Sequence, residues 1–203
     1  MTEELLKSIC KTPSGIFLRP FAPNPAWKTA SCFFIGENPA TDLTSKFSSF
    51  DEYWHALTVN PELFNQRYGT QHKGKTTKTT KQLRYLTEML SEHNCLTTNV
   101  CWYPAKRFKR VPLQERKQGP GHLKMLIEFC KPKVLFFHGA EPVKVAERLF
   151  GVALDRFAAP ESQCITVFEM KVFAYHHFSR RGVLESDVQS DLRRFSKQLM
   201  TFL

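Results

Sequence analysis

The chain has 203 residues, 42% of them hydrophobic, which is enough for one sizeable core, so we expect a single domain over residues 1–203. Lys and Arg outnumber Asp and Glu by 29 to 19, a formal charge of +10, and this excess makes nucleic acid the first partner to consider. No run of 18 apolar residues occurs and the first eleven residues are amphipathic, so we expect no membrane span or cleaved signal, and a cytoplasmic, monomeric protein.

Four segments have the pattern of buried or half-buried strands: 31–35, 95–101, 133–137 and 171–175. A further run at 164–168 is expected to flank the last strand. Helical periodicity occurs between these runs and after them: 50–56, 80–91, 122–130, 141–150 and 186–203. Alternating strands and helices predict an α/β protein with three layers, α/β/α, around a central, mostly parallel four-stranded sheet.

The cysteines are typical of reduced, buried, intracellular thiols. They form no C-x-x-C and no repeated metal-ligand spacing, and their positions are Cys10, Cys32, Cys95, Cys101, Cys130 and Cys164. We therefore expect no iron-sulfur cluster, no metal site and no cofactor.

Residues 69–76 match the phosphate-loop pattern G-x-x-x-x-G-K-[ST]. Such a loop needs an apolar strand before its first glycine, and residues 64–68 do not resemble one. The third strand ends in His138 and Gly139 instead of a metal-binding Asp. We interpret the match as mostly accidental, with the lysines serving a DNA backbone, and a phosphate-loop nucleotide enzyme is the more distant alternative.

Polar and aromatic residues follow each predicted strand. They are Glu37 and Asn38; Thr97 to Asn99 with Trp102 to Pro104; His138 and Gly139; and His176 to Gly182. Taken singly, Asn99 could cap a turn, His138 could be a core histidine and Arg180 with Arg181 could be a solvated pair. Because parallel strands end at one edge of a sheet, these residues together predict a cleft that suits a flat, hydrogen-bonding ligand such as a nucleobase.

Three motifs, in order, resemble the uracil-DNA glycosylase superfamily over residues 31–181. They are Gly36-Glu37-Asn38-Pro39-Ala40, Thr98-Asn99-Val100 followed by Pro104, and His177-Phe178-Ser179 in place of His-Pro-Ser. The third position of the first motif, Asn38, resembles the mismatch-specific and single-strand-selective branches of the family. The second position, Glu37, resembles the iron-sulfur branches, but this chain lacks the cysteines that bind their cluster. His176 beside His177 leaves the register of the third motif open by one residue. The wedge that replaces a flipped base is often Leu in the family, and here Arg180 or Arg181 would take that place.

The resemblance implies a metal-independent DNA glycosylase that flips a base out of DNA and leaves an abasic site. Asn38, with Glu37, would position the water, and His177, or His176 in the shifted register, would donate to the leaving base. Gly36 and Asn99 would line the base pocket, with Asn99 reading the hydrogen-bonding edge. Phe47 or Phe50 would stack on the base, although a core role for Phe50 is equally open.

The expected partner is DNA, single- or double-stranded, held through its backbone. The candidate contacts are Lys73, Lys75, Lys78, Lys106, Arg107, Lys109, Arg110, Ser179, Arg180 and Arg181. Three functions follow: base excision repair of deaminated pyrimidines, the same chemistry on a bulkier modified base in antiviral defence against phage, or a catalytically inactive nucleic-acid-binding protein. Resistance of plain uracil-DNA to the enzyme would favour the second.

Overall fold

The computed structural model describes residues 2–72, 77–162, 164–179 and 182–203. The strands of its central sheet are β1 (Cys32–Gly36), β2 (Cys95–Asn99), β3 (Val134–His138), β4 (Ile165–Val167) and β5 (Met170–Tyr175). The strand order is β2-β1-β3-β5-β4, in which β4 pairs antiparallel with β5 and the other three pairs are parallel. The sheet has five strands instead of four because the run near 164–168 folds back on β5 through a tight turn, with positive φ at Phe168 and Glu169.

Helices cover both faces of the sheet. They are α1 (Glu3–Ile9), α2 (Phe50–Thr58), α3 (Pro61–His72), α4 (Lys78–Met89), α5 (Leu113–Cys130), α6 (Ala140–Phe150) and α7 (Glu185–Met200). Side chains alternate along a strand, so Phe33 of β1 packs towards α2, α5 and α6 while Phe34 packs towards α4 and α7. Every residue of β1 is buried, as expected for a central strand covered on both faces. The predicted three-layer α/β/α architecture is confirmed.

Three helical segments differ from the sequence-based prediction. Helix α1 lies in the first eleven residues, which were described as amphipathic but not assigned as a helix. Helix α5 begins at Leu113, nine residues before the predicted start, and continues through Pro120, a residue that normally ends a helix. Helix α3 was not predicted because its apolar residues form no clear stripe. Gly69 lies inside α3, so the first glycine of the phosphate-loop pattern follows a helix and not a strand. No helix within the described ranges is long and apolar enough to cross a membrane.

The topology brings four strand ends to one side of the molecule. Strands β1, β2, β3 and β5 are parallel, so the residues that follow them lie at the same edge of the sheet. We call this the carboxyl edge; it comprises residues 36–38, 99–100, 138–139 and 176–179.

Candidate active site

Gly36 lies at the centre of the carboxyl edge, between the side chains of Asn99 and His138. Asn99 is its partner in the β1–β2 register, and His138 follows the residue paired with Ile35. A Cβ atom on residue 36 would lie 2.9 Å from Asn99 Oδ1 and 3.2 Å from His138 Nε2. Only glycine therefore lets these two polar side chains approach so closely over the end of β1.

Asn38 ties together the loops that follow β1 and β2. Its Nδ2 donates hydrogen bonds to the carbonyl oxygens of Pro39, at 3.0 Å, and Ala105, at 2.7 Å. The Ala105 N–H in turn donates to the Pro39 carbonyl at 2.8 Å. Because both amide protons are directed at backbone carbonyls, Oδ1 is the atom left to accept a hydrogen bond, as a water-positioning amide requires.

Glu37 and His177 meet over Gly139. A Cβ atom on Gly139 would lie 3.9 Å from Glu37 Oε1 and 3.5 Å from His177 Cδ2, and φ of this glycine is +101°. Burial raises the pKa of the Glu37 carboxyl above its usual value; nearby His177 opposes this shift and Glu141 adds to it. A half-buried carboxylate thus lies beside an imidazole that can donate a proton or a hydrogen bond.

The tautomer of His177 is set by Ser179. The backbone N–H of Ser179 donates to His177 Nδ1 at 3.2 Å, and Ser179 Oγ lies 2.8 Å from the same nitrogen. A backbone N–H can only donate, so Nδ1 is an acceptor and neutral His177 carries its proton on Nε2. The Nε2–H group is then the donor available to a ligand.

His176 has a different environment from its neighbour. Its ring stacks on Tyr175, with ring centroids 4.0 Å apart, and lies 6.3 Å from the ring of Phe157. His176 Nδ1 lies 3.1 Å from the carbonyl oxygen of His177. The structure therefore places His177, and not His176, beside Glu37 and Gly139.

The expectation that Phe47 or Phe50 stacks on a base is revised. Phe47 is 7% exposed, and its ring packs against Tyr53 and Phe64. Phe50 packs against the rings of Tyr53 and Trp54 on its own helix. Both rings belong to the aromatic core under α2 and α3, so neither is part of the carboxyl edge.

The proposed DNA contacts fall into three groups. Lys78 is exposed at the first residue of α4, and Ser179 is exposed while holding His177. Exposed cations also follow β2 in the chain: Lys106, Arg107, Lys109 and Arg110. The positions outside the described residues are Lys73, Lys75, Arg180 and Arg181.

A basic cavity beside the carboxyl edge was missed in the sequence. Its volume is about 360 Å³, and its lining includes Arg116, Lys117, Arg148 and Glu141, three cations against one carboxylate. Arg116 Nε is buried without a hydrogen-bond partner among the described residues. The cavity adjoins the site because Val100 of the carboxyl edge is one of its lining residues. The cavity could not be predicted from the sequence, because α5 was predicted to begin only at residue 122 and its earlier residues were not assigned to a helix.

His138 was predicted to follow the third strand at the cleft, with a core role as the alternative. It is 4% exposed and lies directly beside Gly36 and Asn99. In the part of the chain that the structure describes, no three His, Cys, Asp or Glu side chains gather where they could hold one metal ion. The carboxyl edge is thus a cluster of amides, histidines and one carboxylate.

No family model matches the chain, and no curated protein matches it. The functional assignment therefore depends on the geometry of the carboxyl edge and on the motifs that carry the resemblance.

Proposed function

We propose that the protein is a monofunctional DNA glycosylase that hydrolyses the N-glycosidic bond of a flipped-out, deaminated or modified pyrimidine. The observation that supports this most strongly is the meeting of two complementary groups at one edge. Asn38 offers its Oδ1 as an acceptor beside Glu37, and His177 offers a donor fixed by Ser179. Hydrolysis of an N-glycoside needs such a pair, because it requires a positioned water and a donor to the leaving base.

In the proposed reaction, the bond between the sugar C1′ and the base nitrogen breaks and its electron pair leaves with the base. Asn38 Oδ1 accepts a hydrogen bond from the attacking water, and the Glu37 carboxylate takes the water's proton and stabilises the positive sugar. His177 Nε2–H donates to the base oxygen on which negative charge develops. The water oxygen bonds to C1′, and the base leaves as its anion and is protonated in solution.

Charge near the site supports DNA as the partner. Lys106 and Arg107 are exposed on the loop that Asn38 holds through Ala105. The cavity lined by Arg116 and Lys117 provides a second cationic region beside Glu37 and suits a backbone phosphate. Flipping a base costs a few kcal/mol of unstacking, which such backbone contacts would offset.

The test is incubation of the full chain with oligonucleotides that each carry one deaminated or modified base, and with phage DNA that contains modified bases. Alkali-labile strand breaks report abasic sites, and mass spectrometry identifies the released base. We expect release by the wild type and none by Asn38→Ala. Asn65→Ala, an exposed asparagine on α3, is the matched control and should retain full activity. Release from modified phage DNA without release from uracil-DNA would favour antiviral defence over uracil repair.

A further inference from the structure

The basic cavity lies between one face of α5 and one face of α6. Its lining residues on α5 follow the i, i+3, i+4, i+7 spacing of a single helix face, and those on α6 follow i, i+4, i+7. They are Leu113, Arg116, Lys117 and Pro120 of α5, and Glu141, Val145 and Arg148 of α6. Gly119 keeps α5 close to the end of β2, since a Cβ atom there would overlap the carbonyl oxygen of Val100. The cavity is therefore bounded by two helices, one of which is fixed against the carboxyl edge.

Part of the lining is apolar. Val100 and Val145 are buried, Phe108 is half-buried, and Leu113 is 59% exposed. The volume of about 360 Å³ lies within the range of roughly 300–1,000 Å³ that is typical of small-molecule sites. An aromatic ring beside aliphatic side chains provides a surface for the flat face of a ligand ring. Among the described residues, no amide, hydroxyl or imidazole side chain lines the cavity, so the lining favours a ring without selecting its hydrogen-bonding edge.

The rest of the lining carries an excess of positive charge, from Arg116, Lys117 and Arg148. The one acidic residue, Glu141, forms an ion pair with Lys144, with Nζ and Oε1 3.2 Å apart. Arg148 Nε donates a hydrogen bond to the Lys144 carbonyl at 3.2 Å, which orients the guanidinium. Arg116 Nε is buried without a hydrogen-bond partner within the described ranges. Because buried N–H groups are almost always hydrogen-bonded, Arg116 indicates an acceptor from outside the chain, and the surrounding charge favours an anion.

We propose that this cavity is a nucleotide-binding site that takes a nucleoside monophosphate, with the phosphate on Arg116, Lys117 and Arg148 and the base ring against Phe108. Near neutral pH a phosphate monoester carries a charge of about −1.5 to −2, against about −1 for a backbone diester, so three cations favour the monoester. Inorganic phosphate alone would leave the apolar part of the lining uncovered. The ligand is a free nucleotide or the phosphorylated 5′ end of a DNA strand, which present the same chemistry. The inference does not depend on the proposed glycosylase function.

The first test is isothermal titration calorimetry of the full chain with thymidine 5′-monophosphate, deoxyadenosine 5′-monophosphate, thymidine and inorganic phosphate. We expect one site per chain, similar affinities for the two nucleotides, and binding at least about tenfold weaker for thymidine and for phosphate. Arg116→Gln and Arg148→Gln should each weaken nucleotide binding about tenfold, because each removes a charged donor. Phe108→Leu, which loses the ring, should weaken both nucleotides alike. Lys124→Gln, an exposed lysine further along α5, is the matched control and should bind as the wild type does. Circular dichroism melting checks that each variant folds.

The second test separates the two sources of the phosphate. A short single-stranded oligonucleotide with a 5′-phosphate, and the same strand with a 5′-hydroxyl, compete against the bound nucleotide. Displacement by the phosphorylated strand alone shows that a strand end enters the site, and displacement by neither assigns it to free nucleotides; both results uphold the inference. Equal displacement by both strands, no nucleotide binding, or binding unchanged in both arginine variants would overturn it. Nucleotide binding without base release from any DNA would uphold the inference while the glycosylase proposal fails, and base release without nucleotide binding would overturn the inference alone.

Discussion

Replacing Asn38 by Asp tests the geometry on which the water-positioning role depends. Asn38→Asp keeps the acceptor oxygen Oδ1 but replaces the amide NH2 by a second acceptor oxygen, and so removes the two protons that reach the Pro39 and Ala105 carbonyls at 3.0 and 2.7 Å. Two neutral hydrogen bonds contribute about 2 kcal/mol to the free energy of unfolding, at about 1 kcal/mol each. Asn38→Ala should lose about that amount at every pH. In Asn38→Asp the ionised carboxylate also faces the carbonyl lone pairs, so we expect a total loss of about 3 kcal/mol near neutral pH.

The repulsion between the new carboxylate and the two carbonyl oxygens makes the loss of unfolding free energy in Asn38→Asp depend on pH. Carbonyl oxygens disfavour the charged form, so the pKa of the new carboxyl in the folded protein lies above the unfolded value of about 3.9. The part of the stability loss that comes from this repulsion is absent below the unfolded pKa and develops as pH rises through the folded pKa, whereas the loss of the two amide hydrogen bonds is present throughout. Urea unfolding at about pH 4 and about pH 7.5 measures this difference. Asn65→Asp on α3 controls for an added surface charge. Equal losses for Asn38→Asp and Asn38→Ala at both pH values would refute the reasoning.

Three further predictions concern the same edge. Glu37→Gln should become more stable relative to the wild type as pH rises, because the raised pKa of Glu37 makes its ionised form unfavourable in the folded protein; urea unfolding across pH measures this. Ser179→Ala removes the 2.8 Å contact to His177 and should slow base release about fivefold in a single-turnover assay. Changing Lys106 and Arg107 together to Ala should flatten the dependence of log affinity on log salt by about 0.9 per lost duplex contact, with base preference unaltered; an unchanged slope would remove these residues from the interface.

The sheet and its carboxyl edge could be predicted because they depend on local patterns. Continuous apolar runs such as 134–137 indicate strands buried on both faces, and parallel strands end at the same edge of the sheet. The burial of Phe47 in the aromatic core could not be predicted, because its ring packs against Phe64 of α3, a helix with no clear apolar stripe. The hydrogen bond from Asn38 to Ala105 joins residues 67 apart in the chain, and no local sequence pattern in either segment predicts it.

The roles of the two histidines could not be predicted from the sequence either. The sequence placed His138 and His177 at strand ends but could not separate a core histidine from a pocket residue. That distinction depends on the unpaired nitrogens of His138 and on the N–H that Ser179 directs at His177. Both are properties of three-dimensional packing at the edge, where Gly36 leaves room for two polar side chains.

The measurement that tests the central claim most directly is the stoichiometry of base release. The full chain is incubated with the best substrate from the oligonucleotide and phage-DNA panel, and free base and abasic sites are both quantified by mass spectrometry. The proposed chemistry predicts one free base for each abasic site, with release lost in Asn38→Ala and retained in Asn65→Ala. DNA binding without release of any base, or release that survives Asn38→Ala, would contradict it.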